Sequence, residues 1–173
     1  MYKLSRLFVL LISISVPTAA YADSGESTRI TDAEQHAYSG TGRYPYREKS
    51  VYVLKELDLK PGDTVVDIGA GDGWWTRKMA EAVGPEGVIH ASEVVQKLVD
   101  TMKEEFADIS QIKPYLSPTD STSLAENSCD LAFLSKTYHH LDEGSHVDYL
   151  RHLKKVVKPM GRLCVIGLSG FAA

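Results

Sequence analysis

The sequence predicts an α/β fold, a doubly wound parallel sheet of strand order 3-2-1-4-5 covered by helices on both faces. Three observations lead there. Strand-like and helix-like segments alternate from Val65 onward, and their connections are too long for hairpins, so successive strands run parallel through right-handed crossovers. The run Asp130-Leu131-Ala132-Phe133-Leu134-Ser135 is nearly continuous apolar, as a strand covered on both faces requires. Finally, Val65-Val66-Asp67-Ile68-Gly69-Ala70-Gly71-Asp72-Gly73-Trp74-Trp75 passes from a β-branched run through three alternating glycines into a helix. Glycine permits φ > 0 and close approach to the backbone, while the helix start offers unpaired N–H groups, so a nucleotide-like ligand belongs at this junction.

Composition bounds the rest. A chain of 173 residues supports one domain with a real core, and its hydrophobic (43%) and charged (24%) fractions are ordinary. Residues Met1 to Ala22 stand apart: Lys3 and Arg6 precede the apolar run Leu7 to Val16, and Ala20-Tyr21-Ala22 has the small-x-small form of a secretory cleavage site. They are read as a removable signal peptide, which implies an exported chain, periplasmic or secreted. The rival is an uncleaved anchor, but the run is shorter than the ~20 residues of a spanning helix. No stable membrane span is therefore expected after cleavage. Cleavage removes two basic residues and leaves 17 against 23 acidic, so the net charge moves from −4 to −6 and discourages nucleic-acid binding. Cys129 and Cys164 lie in or beside strands without metal-ligand spacing and read as buried thiols, with pairing left open.

The chain then runs in order. An N-terminal arm, 23–44, is polar and acidic before Tyr38-Ser39-Gly40-Thr41-Gly42-Arg43-Tyr44-Pro45-Tyr46-Arg47, which fits a flap over a pocket or a plain surface loop. The domain proper is 45–173. Val51, Leu54 and Leu57 repeat at helical spacing, giving a helix from Pro45 to Leu57, and Lys60-Pro61-Gly62-Asp63 turns into the first strand. The helix from Trp74 to Val83 ends at Gly84-Pro85-Glu86-Gly87. Strand two, Val88 to Ser92, stops at Glu93, twenty residues beyond Gly73, where such folds place an acid for ribose hydroxyls. A cap on the next helix is compatible with that role. Glu93 is taken as an exposed strand-end acid, so Glu93→Ala is expected to weaken ligand binding with little loss of fold.

Val95, Leu98, Val99, Met102 and Phe106 form the inner face of a helix from Val94 to Ala107. Strand three is Ile112 to Leu116, followed by a polar loop with Asp120-Ser121. Strand four leads into Lys136-Thr137-Tyr138-His139-His140-Leu141 at the carboxyl end of a central strand, where open α/β sheets bind ligands. Tyr138, His139 and His140 are candidates for substrate contact. Adjacent histidines point apart and no third ligand has helpful spacing, so no metal is assigned. Ser145 with Asp148 opens a helix to Val157 whose inner face is Val147, Leu150, Leu153 and Val157, with His146 and His152 toward solvent. Lys158-Pro159-Met160-Gly161 is a turn in which non-glycine Met160 favours type I over type II. Strand five, Arg162 to Gly167, completes the pattern.

The ligand follows from the glycine loop. A dinucleotide fingerprint requires G-x-G-x-x-G, and Trp74 stands at the third glycine position, while Asp67 and Asp72 flank the loop and repel a pyrophosphate. A ligand with a cationic or zwitterionic end fits better. Asp67-Ile68-Gly69-Ala70-Gly71-Asp72-Gly73 resembles the first motif of the class I S-adenosylmethionine (SAM) dependent methyltransferases, a Rossmann-like family. Glu93, the Asp120-to-Leu124 spacing and Lys-Pro-x-Gly-Arg-Leu at 158–163 follow in the family's order, so the resemblance covers Leu57 to Leu168.

The resemblance implies SAM as cofactor and a small-molecule methyl acceptor. It implies that Gly69, Gly71 and Gly73 pack against the methionyl part, Asp67 orients its ammonium, Glu93 holds the ribose, and Asp120 with Ser121 lies near adenine. His139 or His140 would take the acceptor's proton, an imidazole having a pKa near ~6.5. The family continues past strand five with a helix and a β-hairpin not found in these 173 residues, which reads as a shortened, inactive member, a member whose strand-five edge a partner or a second copy covers, or a fragment of a longer product; without them strand five is expected to present an apolar edge. A non-catalytic SAM-fold binding module is the alternative function, and a nucleotide-dependent oxidoreductase stands third. An exported location leaves the supply of SAM unexplained.

Overall fold

The computed structural model describes residues 8–14, 50–141 and 146–168. The arm at 23–44, the flap, the start of the helix expected from Pro45, and Ser145 lie outside the described residues. The elements in order are β1 (Phe8–Ile14), α1 (Ser50–Leu57), β2 (Thr64–Ile68), α2 (Trp74–Val83), β3 (Val88–Glu93), α3 (Gln96–Glu105), β4 (Ile112–Leu116), β5 (Cys129–Ser135), a 3₁₀ turn (Tyr138–His140), α4 (His146–Val156) and β6 (Val157–Leu168). The six strands form one parallel sheet in the order β1-β6-β5-β2-β3-β4. Its last five, β4-β3-β2-β5-β6 in reverse, are the 3-2-1-4-5 order the alternation predicts.

β1 is the addition. Phe8–Ile14 pairs in register with Arg162–Leu168, so the backbone edge of β6 expected to be open is occupied by the apolar run read as the core of a signal peptide. The two readings use one composition: Phe8-Val9-Leu10-Leu11-Ile12-Ser13-Ile14 is apolar enough for a leader and β-branched enough for a strand.

Strand alternation sorts the core onto two faces. Val65, Leu131, Phe133, Cys164 and Ile166 face α1, α2 and α3, meeting Leu57, Trp75, Met79, Met102 and Phe106. Val66, Ile68, Ala132, Leu134 and Leu163 face α4, meeting Tyr149, Leu153 and Val156. Cys129 belongs to the second face and Cys164 to the first, so the sheet separates the two thiols, both of them free. Burial pushes each up to about 12, which leaves them protonated and inert.

Two expectations need correction here. The buried face of α4 is Tyr149, Leu153 and Val156, whereas Val147 is 58% exposed. Spacing of four and three from Tyr149 places a large ring against the sheet, and Val157 has already left the helix to pair with Cys129. The turn at 158–161 is a bulge inside β6, since Val157 pairs with Cys129 and Arg162 with Leu131. Met160 adopts φ 70, the left-handed value of the third residue in a type II turn, against the type I expectation. Gly161 is needed beside it: a Cβ there would lie 2.4 Å from Val157 Cγ1. Packing fixes the glycine at 161, and exposed Met160 carries the strained angle.

Candidate functional site

The glycine loop after β2 holds three left-handed residues, Gly69, Gly71 and Gly73, at φ 68, 58 and 71. Their bare α-carbons serve different ends. A Cβ on Gly69 would lie 2.4 Å from Thr137 Oγ1, and one on Gly73 would lie 2.5 Å from Phe106 Cε2. These two glycines admit neighbouring side chains. Among the described residues a Cβ at Gly71 would meet nothing nearer than Gly69 O at 4.0 Å, so of the three it alone has no described side chain packed against it. Gly71 is the point at which a ligand can reach the loop backbone.

Glu93, at the end of β3, secures that point. Its Oε2 accepts the Gly71 N–H at 2.9 Å, while Oε1 accepts the N–H groups of Val94 at 2.8 Å and Val95 at 3.2 Å. The residue is 6% exposed, which corrects its expected exposure: three backbone donors converge on the strand end and draw the carboxylate inward. A carboxylate offers about four lone-pair positions, so roughly one remains for a ligand hydroxyl.

Asp67 lies on the α2 side of β2, as alternation from Val65 dictates, and is 2% exposed. Its Oδ2 accepts the Thr76 hydroxyl at 2.6 Å, joining β2 to the first turn of α2. Burial pushes its pKa up to about 7 against the lowering effect of Thr76, and the charges of Glu93 and Asp72 add to the rise. A buried acid poised near neutrality gains from a nearby cation. Asp72 has its own task, its Oδ1 accepting the Trp74 N–H at 3.2 Å where α2 begins.

The loop beyond β4 is held at both ends. The buried Ser117 donates its N–H to Glu93 O at 2.9 Å and shares a 2.7 Å hydroxyl bond with Ser92. Thr122, fully buried, donates its N–H to His152 Nε2 at 2.9 Å, and its carbonyl accepts the Tyr115 hydroxyl at 2.6 Å. Asp120 between them is exposed and Ser121 half-buried. His152 thus corrects the expectation of a solvent-facing ring, because a buried backbone N–H at Thr122 requires an acceptor.

The 3₁₀ turn after β5 carries Tyr138, His139 and His140. Thr137, pressed against Gly69, sets its distance from the glycine loop. His139 and His140 are exposed, their rings tilted by 43° with centroids 4.0 Å apart, and partial desolvation by the surrounding residues holds both pKa values below 6.5, with the charges of His140 and Lys136 adding to the effect at His139. Both rings are therefore neutral at pH 7 and able to accept a proton. Tyr138 is half-buried with its ring 4.7 Å from that of His146, whose Nε2 lies 3.1 Å from Tyr138 O. His146, also expected toward solvent, braces this turn instead. Among the described residues no three His, Cys, Asp or Glu side chains stand together as a metal site.

The fold thus brings the glycine loop, Glu93, the 117–122 loop and the histidine turn to the carboxyl ends of β2 to β5, linked by Gly71–Glu93, Glu93–Ser117 and Gly69–Thr137 contacts. Sequence reasoning missed Thr76, Ser92, Thr122, Thr137 and His152. A hydroxyl in the first turn of the helix over a buried strand acid was the readable sign for Thr76. The others show nothing in their local pattern.

Comparison with known proteins identifies the family. The family described as "Methyltransferase domain" matches residues 65–161, more than half of the chain. A crystal structure of a SAM dependent methyltransferase from Aquifex aeolicus superposes with a TM-score of 0.58 at 28% identity, covering 68% of this chain and 69% of that one. A ubiquinone/menaquinone biosynthesis C-methyltransferase of Burkholderia mallei is 25% identical over 128 residues, 72% of this chain and 51% of the relative. Ribosomal RNA large subunit methyltransferase E of Haloquadratum walsbyi is 33% identical over 84 residues, 42% of this chain and 33% of the relative. The chain thus spans about a third to a half of the length of these curated relatives. From the glycine loop, the sheet order and the matched region together, the chain belongs to the methyltransferase domain family, class I in fold, with S-adenosylmethionine as its cofactor.

Proposed function

We propose that the chain transfers a methyl group from SAM to a small-molecule acceptor. One observation carries the reading: Gly71, alone of the three motif glycines, has no side chain of the described residues against it at positive φ, while the Glu93 carboxylate fixes its amide. SAM supplies a methyl on a sulfonium, a leaving group that departs neutral, so the protein's work is mostly alignment. Gly71 admits the methionyl part to the backbone, the remaining lone pair of Glu93 takes a ribose hydroxyl, and Asp67 favours the ammonium end. Asp120 and Ser121 flank the adenine. Tyr138 and His139 contact the acceptor, and His139 or His140, neutral at pH 7, accepts its proton.

The choice of a small acceptor over RNA rests on charge. A net charge of −4, or −6 once the leader is removed, opposes a polyanion, even though one relative is named for ribosomal RNA. Export is proposed from Lys3, Arg6, the Leu7 to Val16 run and Ala20-Tyr21-Ala22. Cleavage would remove β1 and leave the exported form with the β6 edge uncovered.

Incubation with methyl-labelled SAM and panels of phenol, amine, thiol and carbon acceptors, with ribosomal RNA alongside, tests the proposal. Label in a small molecule and none in RNA is the expected result. Label in RNA alone overturns the acceptor class.

A further inference from the structure

His152 lies on α4, outside the glycine loop and the histidine turn, yet it holds the end of the loop that carries Asp120 and Ser121. We propose that His152 is a positioning residue for the cofactor site: its ring, accepting through Nε2, locks Thr122 and thereby fixes loop 117–122. The geometry is independent of the cofactor; the consequence for binding rests on the SAM reading above.

Thr122 is fully buried and directs two groups at one nitrogen, its N–H and its hydroxyl each lying 2.9 Å from His152 Nε2. Accepting from a backbone N–H requires Nε2 to be bare, which places the ring proton on Nδ1. The same residue is held from the other side by the 2.6 Å bond from the Tyr115 hydroxyl to its carbonyl. Ser117, at the far end of the loop, is tied to Glu93 O and to Ser92. Four exposed or half-exposed residues, Pro118 to Ser121, therefore hang between two buried anchors, and His152 is the only titratable acceptor among the anchoring bonds described.

Protonating Nε2 sets a ring N–H against the Thr122 N–H, two donors face to face, and weakens the second anchor to its Tyr115 bond. The groups around the ring do not prevent this. Asp120 in the loop favours the charged ring, Lys155 on α4 disfavours it, and the Tyr149 ring, 6.1 Å away on the same helix, adds apolar bulk. Burial is the largest influence and holds the closed-loop pKa below the ordinary 6.5. The sign follows. An opened loop leaves His152 near 6.5, so the anchor is at full strength above that pH and weakens as pH falls through the lowered closed-loop value.

The test is amide hydrogen exchange at Thr122 in the full chain, corrected for intrinsic rate, at about pH 7.5 and about pH 5.5, with S-adenosylhomocysteine titrated into the same samples. Losing one net hydrogen bond corresponds to about tenfold in protection. Wild-type protection at Thr122 is expected to fall about tenfold on acidification. His152→Gln, whose side-chain carbonyl accepts at either pH, keeps protection within about threefold and flattens the pH response. His152→Ala loses about tenfold at both pH values and binds the ligand more weakly. Wild-type protection of Thr122 in His152→Ala overturns the proposal, as does a wild-type pH response in His152→Gln, which decides alone if the alanine variant does not fold. Lost protection with unchanged ligand affinity overturns the link to the cofactor site. A folded wild type that binds no S-adenosylhomocysteine overturns the SAM reading while leaving the Thr122 result to judge the anchor.

Discussion

Replacing Glu93 by alanine removes the common acceptor of three backbone N–H groups, those of Gly71, Val94 and Val95. Hydrogen bonds to a charged group contribute about 1.5–3 kcal/mol each, but the three do not simply add. Val94 is 50% exposed, so water replaces the carboxylate at the helix start and reduces that part to about 1 kcal/mol, the usual worth of a cap. Gly71 loses the bond that fixes the loop. The combined effect is about 3 kcal/mol, which for a chain of this size lowers Tm by about 6–12 °C. Glu93→Gln refines the test: its oxygen can serve Val94 and Val95, but its amide N–H₂ then faces the Gly71 N–H, so about half of the loss persists. Thermal and urea denaturation measure stability, and titration of S-adenosylhomocysteine into the folded variants is expected to show affinity at least ~10-fold lower for both. A Tm for Glu93→Ala within about 2 °C of wild type refutes the structural role and returns Glu93 to the exposed acid the sequence implied.

Gly71→Ala meets no side chain among the described residues at φ 58, so it is expected to cost only about 1 kcal/mol of stability while blocking the ligand; Gly69→Ala, colliding with Thr137, destabilises by more. Calorimetry beside urea denaturation separates them, and equal ligand affinity in Gly71→Ala and wild type removes the cradle. Asp67, raised to about 7, stabilises the empty fold fully below 3.8 and loses that contribution as pH rises through about 7. A cationic ligand end lowers its pKa, so binding near pH 7 releases protons, seen as a dependence of the calorimetric heat on buffer ionisation enthalpy. Removing residues 1–22 takes away β1 and bares the β6 edge, so the shortened chain self-associates at concentrations where the full chain sediments as a monomer; identical sedimentation of the two forms contradicts this.

The glycine spacing and the alternation of strand and helix made the sheet order legible, because both record local backbone demands. Glu93 was found by distance from Gly73, yet its burial was not, since three donors converge on it only after β2 and β3 pair. Periodicity gave α4 its helical length but chose Val147 over Tyr149 as the inward side chain. Hydropathy ranks valine as more apolar than tyrosine, whereas the sheet surface offers Tyr149 the larger contact. His152 was invisible for a related reason: its partner, Thr122, is thirty residues away and has no pattern of its own. Met160 shows the opposite limit, since residue preference favoured type I until the crowding at Gly161 decided the angle. The leader-like stretch is legible in its two basic residues, its apolar run and Ala20-Tyr21-Ala22, whereas pairing with β6 is a nonlocal property that none of these encodes.

The most direct test of the site is calorimetric titration of S-adenosylhomocysteine into the folded, monodisperse full chain. Saturable one-site binding with a dissociation constant on the order of 10 μM, about −7 kcal/mol, is expected, and Gly71→Ala abolishes it. Absence of binding by a folded wild-type sample contradicts the assignment of the Gly71–Glu93 junction as the cofactor site.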